Sequence, residues 1–160
     1  MTNFHELYER YSADVYRYAY WLSGHAMEAD DLTSETFVRA WTSRSTIRTE
    51  TVKAYLFTIT RNLYLEGHRK AKRQEDLDPA LHDPRPGPNE RIESRLEFVE
   101  AQRLIRALPE ADRTAFLLRI QHELPYEEIS RIMNLSLSAV KVKVHRVRLK
   151  MAEARLQEET

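Results

Sequence analysis

The sequence predicts an all-α protein made of two small helical domains joined by a Pro-rich linker. Its 160 residues include only 3 Gly and 6 Pro among many Leu, Arg, Glu and Ala, which favours helices over sandwiches, barrels or glycine-loop nucleotide binders. Apolar residues recur at helical spacing on both sides of residues 75–90. That segment, EDLDPALHDPRPGPNE, lacks this periodicity and holds most of the prolines. We therefore expect domains at 1–74 and 95–160, with a flexible linker at 75–94.

The first helix is predicted over residues 4–23. Its apolar side chains follow helical spacing until Gly24 breaks the pattern. We expect this stripe to form the core of the first domain, and it consists of Phe4, Leu7, Tyr8, Tyr11, Val15, Tyr18 and Leu22.

The second helix starts near Met27 and has two different sides. A step of 100° per residue gathers one apolar set, which is Ala29, Leu32, Thr36, Phe37 and Ala40. The opposite side carries Glu28, Asp31, Ser34 and Glu35. On spacing alone, this acidic side is either a docking surface for a basic partner or a solvated face.

A polar loop at 43–51 precedes a third helix, predicted from about Val52 to Lys72. Cations gather in its last turns, where the helix dipole favours positive charge, and they are Arg69, Lys70, Lys72 and Arg73. Together with Arg61 and Asn62 they are suited to follow a nucleic-acid backbone, with Tyr55 or Tyr64 stacking on unpaired bases. Alternatively, the tyrosines belong to the core.

The second domain ends in a helix-turn-helix pattern. Two helices precede it, one over residues 91–108 and one that begins at Pro109, a residue suited to a helix start. A short helix follows at about 126–133, then a turn at 134–136 and a longer helix from about Ser138.

Residues 139–151, AVKVKVHRVRLKM, are ambiguous between strand and helix. Val140, Val142 and Val144 alternate as in a strand, yet the apolar set Val140, Val144, Val147 and Met151 has helical spacing. We predict a helix whose other side meets DNA through Ser138, Lys141, Val142, His145 and Arg146, flanked by Lys143 and Arg148. Arg146 or Lys141 would read guanine edges, and the remaining cations would neutralise phosphates. The alternative is a solvated basic face.

Composition and motifs argue against several classes of function. The chain has no cysteine, so disulfides and thiolate zinc sites are excluded. The six histidines lack metal-site spacing, and no nucleophile elbow or phosphate loop occurs, so we expect no metal, no cofactor, no small-molecule substrate and no catalytic residue. With no long apolar run and no leader, the chain is expected to be cytoplasmic. Its net charge is zero, but acids and bases are segregated, which suggests separate faces for separate partners.

In their order, these motifs resemble the extracytoplasmic-function (ECF) sigma factors of bacterial RNA polymerase. Residues 28–41, EADDLTSETFVRAW, resemble region 2.2 of that family, and residues 53–73, KAYLFTITRNLYLEGHRKAKR, resemble its regions 2.3 and 2.4. Residues 124–151 resemble region 4.2. The sequence departs from the family pattern at four places. Ser34 stands where Gln is usual, and Glu66-Gly67 where an Asp followed by a larger residue is usual. Asn134 stands where Gly is usual, and Val142 where a small polar residue is usual.

The resemblance implies recruitment of RNA polymerase core, through its β′ and β subunits, to promoter DNA. Docking on the β′ coiled coil would use Asp31, Ser34 and Glu35. Recognition and melting of the −10 element would use Arg61, Asn62, Tyr64, His68 and Arg69. The loop at 43–53 would hold a flipped base, the acidic linker would run toward the RNA path, and the helix-turn-helix would read the −35 element. An anti-sigma protein, often membrane-anchored in this family, would cover these faces.

Two other functions remain open on the sequence. One is a stand-alone helix-turn-helix regulator, which would bind an operator tightly as a dimer without polymerase. The other is a helical interaction module that touches no nucleic acid, in which the basic faces are incidental.

Overall fold

The computed structural model describes residues 3–43, 51–77 and 92–159, and the side chains of 3–43, 51–70 and 97–157. Every regular element in these ranges is a helix, so the predicted all-α class is confirmed. The chain divides into two compact units, Met1–Asn89 and Glu90–Thr160. Helices reach into both ends of the predicted linker, and residues 78–91 lie outside the described residues.

The first unit is a bundle of three helices, α1 (Phe4–Ser23), α2 (Ala26–Thr42) and α3 (Val52–Leu77), in which each contacts the other two. The Asn3 side chain caps α1 by accepting a hydrogen bond from the Glu6 backbone N–H at 2.8 Å. Gly24 ends that helix in the left-handed conformation, with φ of 80°. These local signals place the first two helices close to the predicted positions.

Large side chains from all three helices fill the core of this bundle. The Tyr18 and Phe57 rings meet edge to face at 5.2 Å, and both residues are fully buried. The prediction that the whole α1 stripe is core was wrong for Phe4 and Tyr8, which are exposed. Each of these two rings packs one side on α2, against Trp41 at 5.7 Å and Phe37 at 5.0 Å. Helical spacing identified the correct face but not how far along α1 the bundle covers it.

A buried hydrogen bond joins α2 to α3. The Thr36 and Thr60 hydroxyl oxygens lie 2.9 Å apart, and each is also near a carbonyl one turn back in its own helix. Two hydroxyl protons are available for these three contacts, so one hydroxyl can donate across the interface while the other donates to its own helix. The pair therefore needs no water to be satisfied.

The second unit contains α4 (Ile92–Arg106), α5 (Glu110–Phe116), α6 (Tyr126–Met133) and α7 (Leu137–Glu159). A stretch of π-helix, Leu117–Gln121, continues α5 and was not predicted. The positions of α6 and α7 agree with the predicted helix-turn-helix, and α7 packs on both α5 and α6. The buried apolar residues of this unit include Leu118, Ile129, Ile132, Val140, Val144 and Val147.

Among the described residues, two other than glycine adopt positive φ, and both lie between helices of the second unit. Asn134 ends α6 with φ of 53°, and Glu123 has φ of 56°. Asparagine tolerates this conformation, whereas glutamate pays a steric cost of about 1 kcal/mol or more. Asn134 therefore forms the turn between α6 and α7 at a position where the family resemblance predicts Gly.

This difference predicts the effect of two matched glycine substitutions. We expect Glu123→Gly to increase the free energy of unfolding by roughly 1 kcal/mol, because it relieves the strained φ, and Asn134→Gly to change it by less than half of that. Urea denaturation followed by circular dichroism measures both variants. A larger gain for Asn134→Gly than for Glu123→Gly would contradict this account.

Candidate nucleic-acid interface

One side of helix α7 is buried and the other is exposed. Val140, Val144 and Val147 are almost fully buried against the rest of the unit, whereas 54% of Val142 is exposed. The helical interpretation of residues 139–151 is therefore confirmed and the strand is excluded. Val142 leaves the valine stripe and lies on the polar side of the helix.

The exposed side of α7 gathers nearly all of the residues predicted to contact the −35 element. Those exposed are Ser138, Lys141, Val142, His145, Arg146 and Arg148. Lys143 differs, because only 23% of its side chain is exposed. Among the predicted cations of this helix, Arg146 and Arg148 are therefore better placed than Lys143 to reach a nucleic acid.

A buried carboxylate accounts for the position of Lys143. Asp112 of α5 has a side chain only 3% exposed, with one oxygen 3.5 Å from Lys143 Nζ and the other 3.5 Å from an Arg146 guanidinium nitrogen. Sequence reasoning missed Asp112, because it lies more than thirty residues before its partners and has no motif of its own. One acid thus contacts two cations of the candidate DNA-binding helix.

Tyr126, the first residue of α6, contacts two further cations. The Arg119 guanidinium lies 4.2 Å from the centre of its ring, and Lys141 Nζ lies 5.7 Å from it. Arg119 also donates a hydrogen bond to the Leu124 carbonyl at 3.1 Å. The aromatic ring therefore links the π-helical stretch to the start of α7, a role the sequence did not reveal.

Helix α3 exposes most of the side chains predicted to follow the −10 strand. Asn62, His68 and Arg69 are exposed and Arg61 is partly exposed. Tyr64 is only 4% exposed, so of the two alternatives for this residue the structure favours the core over stacking on an unpaired base. Its ring belongs to the core and lies 4.0 Å from the His68 ring, centre to centre. Tyr64 can act on DNA only by supporting His68.

The other candidate for stacking, Tyr55, is also held in place within the bundle. Its hydroxyl donates a hydrogen bond to the Ala40 carbonyl of α2 at 3.3 Å. Burial raises the pKa of the Tyr55 phenol, so the donor stays protonated at neutral pH. Tyr55 therefore joins α3 to α2.

The predicted docking residues lie on the outer side of α2. Asp31, Ser34 and Glu35 are all exposed, as expected for an acidic docking face. The same face also carries one cation, Arg39, which lies 3.5 Å from Glu35 and 3.6 Å from Glu66 of α3. Met27 and Val38 add exposed apolar surface to the same helix. A partner that docks here would meet carboxylates interspersed with apolar groups.

Three further expectations concern the base-binding loop, a metal site and a membrane-spanning helix. Most of the predicted base-binding loop, residues 44–50, lies outside the described residues. In the described ranges, His, Asp and Glu side chains form no group of three arranged to hold a metal ion. No helix in the same ranges has the length and apolarity needed to cross a bilayer.

Comparison with known proteins finds two family models in the order of the two units. Residues 7–74 match Sigma-70 region 2, and residues 98–151 match Sigma-70 region 4.

Similar curated proteins extend over most of the chain. The ECF RNA polymerase sigma factor SigE of Mycolicibacterium smegmatis is 36% identical over 96% of this chain, which spans 62% of that protein's length. EcfG of Rhodopseudomonas palustris is 33% identical, with 82% of this chain and 73% of that protein covered. SigM of Bacillus subtilis is 30% identical, with 91% of both covered.

Solved structures share the fold. The sigma factor RpoE from Bartonella quintana, in complex with the anti-sigma factor NepR, matches with a TM-score of 0.82 at 22% identity, and 94% of each chain is covered. CnrH, in complex with the cytosolic domain of CnrY, matches with a TM-score of 0.72 at 22% identity, covering 98% of this chain and 89% of that one.

Proposed function

Because the chain belongs to the ECF RNA polymerase sigma factors, we propose that it binds core RNA polymerase and directs it to promoters through two separate DNA-contacting surfaces. The observation that carries this proposal is the exposure of most of the matching residues on both units, with Tyr64 and Lys143 as the exceptions. The second unit presents a basic helix, and the first presents an acidic helix beside a basic one. Such a factor supplies recognition and strand capture, and the bond-forming chemistry belongs to the polymerase.

In the second unit, α7 would lie in the major groove of the −35 element. Its valine stripe fixes the helix on the domain, so the opposite side is presented without freedom to roll. Arg146 is suited to the bidentate contact with guanine O6 and N7, and the exposed methyl groups of Val142 to contact with a thymine methyl. Arg148 would neutralise phosphate, which makes affinity salt-dependent.

In the first unit, the exposed side of α3 would contact the −10 element. Arg61, Asn62 and Arg69 offer donors to the non-template backbone, and His68 sits on the buried Tyr64 ring. Capture of an unpaired base by the loop at 43–53 follows from the family resemblance and adds selectivity to melting.

We place the core-binding surface on the acidic side of α2, through Asp31, Ser34 and Glu35. A protein that covered this side and α7 would block both activities, and one of the solved neighbours is a sigma factor bound to an anti-sigma factor. We therefore propose anti-sigma control of this chain as well.

Transcription in vitro tests the proposed function directly. The full chain is added to core polymerase on a genomic library, and new start sites are mapped. A sigma factor gives new start sites with core polymerase and binds duplex DNA weakly alone. Tight binding of an operator by the pure chain, without any new start site, would instead support the stand-alone regulator.

A single substitution tests the role of α7 within that assay. We expect Arg146→Gln to lower transcription from a −35-dependent promoter about tenfold or more, because a bidentate base contact is worth roughly 1 to 3 kcal/mol. The matched control is Arg103→Gln, which removes the same charge from an exposed position of α4. Equal losses in the two variants would indicate a general charge effect and would contradict base recognition by Arg146.

A further inference from the structure

We propose that Asp112 is a positioning residue for −35 recognition, which orients Arg146 and withholds Lys143 from the DNA backbone. This inference rests on the proposed function, since it assigns a role to a residue behind the DNA-reading helix. Asp112 lies in α5, on the inner side of α7, and therefore acts only through the cations that it contacts.

The two contacts of Asp112 use different oxygens. Oδ1 accepts from Lys143 and Oδ2 accepts from Arg146, each at 3.5 Å. Lys143 and Arg146 are three residues apart on α7, so they are neighbours on the helix surface. A single carboxylate therefore bridges two neighbouring cations of α7.

The burial of Asp112 makes this arrangement electrostatically significant. A carboxylate removed from water requires cationic or hydrogen-bonding partners, and its attraction to them is screened less than at the surface. Lys143 is largely covered, whereas 51% of the Arg146 side chain remains exposed. The two cations that Asp112 contacts at the same distance therefore differ in how much of each remains available to a nucleic acid.

The geometry of the guanidinium explains how Arg146 can be both held and available. Arginine carries five N–H donors in a rigid plane, and the recorded contact with Asp112 uses one terminal nitrogen. This contact restrains the guanidinium at one corner, and half of the side chain remains exposed. A restrained guanidinium loses less rotational freedom when it makes a bidentate base contact.

The ammonium group of Lys143 behaves differently because it is a point charge without a rigid plane. Its partial burial beside Asp112 lowers the positive potential that α7 presents to any DNA. Non-specific binding consists mainly of phosphate neutralisation, so a withheld cation lowers it more than it lowers base recognition. Asp112 would therefore favour selective over indiscriminate binding.

The test uses the full chain with saturating core polymerase on a promoter whose −35 element is selected by the wild-type holoenzyme from a random library. We expect Asp112→Asn to reduce the ratio of affinities for the selected and a scrambled −35 element about tenfold. We also expect the slope of log affinity against log salt to become steeper by about 1 to 2, as one or two cations become free to neutralise phosphates. Glu153→Gln, which removes an exposed acid from α7, is the charge-matched control.

A variant that lacks both Lys143 and Arg146 distinguishes a positioning role of Asp112 from a role in folding. In the Lys143→Gln/Arg146→Gln protein, adding Asp112→Asn should change neither the ratio nor the salt slope, because Asp112 has lost the groups through which it acts. A persistent effect in that background, or an equal effect of Glu153→Gln, would overturn the inference. Failure of the wild-type chain to direct any initiation would instead overturn the proposed function, and the inference with it.

Discussion

Replacing Val144 by aspartate is expected to unfold the second unit while the helices of the first unit persist. Val144 is 1% exposed and lies in the stripe that fixes α7 on α5 and α6. Placing a carboxylate there costs several kcal/mol, because the position is closed to water and the flanking stripe residues Val140 and Val147 are apolar and buried. A domain of this size is stable by only about 3–5 kcal/mol, so the substitution removes most or all of its stability.

The matched control is the same substitution two residues earlier. Val142 is mostly exposed, so Val142→Asp should change the free energy of unfolding by less than about 0.5 kcal/mol while it weakens DNA binding by adding a negative charge. Amide hydrogen exchange, resolved by segment, measures the effect of each of the two substitutions on folding. Loss of protection in α5 to α7 is expected for Val144→Asp alone, and the same loss in both variants would show that the two sides of α7 are not distinct.

Reversing the charge of the acidic face of α2 is expected to lower the affinity for core polymerase about 100-fold. The Asp31→Lys/Glu35→Lys protein would present two ammonium groups where the proposed partner surface is basic, and opposed like charges cost several kcal/mol across an interface. Titration of labelled chain with core polymerase at fixed salt gives the dissociation constant. The effect should decrease as salt is raised, because these side chains are exposed.

The control for this reversal is Glu6→Lys/Glu9→Lys, which makes the same change of charge at exposed positions of α1. We expect this control to retain core affinity to within a few-fold. The duplex −35 affinity of the full chain should be unaffected by the α2 reversal, because the substituted residues lie in the other unit. Equal losses of core binding and duplex binding would contradict the assignment of these functions to separate surfaces.

Local signals in the sequence were sufficient to locate most of the helices and the buried side of α7. Gly24 marks the end of α1, and the spacing that ends at Met151 distinguishes a helix from a strand over residues 139–151. These features depend on steric preferences and periodicity within one segment, so they can be evaluated without knowing what packs on it. The residues of α2 that are proposed to dock on the polymerase were placed correctly at the surface for the same reason.

The errors concern features that depend on distant parts of the chain. Tyr64, for which stacking on a base and a core position were both open, is buried, and Phe4, which was assigned to the core, is exposed. In both cases the outcome depends on how far the neighbouring helices cover the helix, which spacing within one segment does not give. The pairing of Asp112 with Lys143 and Arg146 likewise spans separate helices, and no pattern in the sequence indicates it.

The contacts that cross from α2 to α3 also have a mechanical consequence. Three of these contacts are the buried Thr36 and Thr60 pair, the Arg39 bridge to Glu66 and the 3.2 Å contact of Glu28 with His68. A slide of one helical turn, 5.4 Å, would break all three at once. The three contacts therefore oppose sliding of α2 along α3, so the outer side of α2 and the basic end of α3 are held in one register.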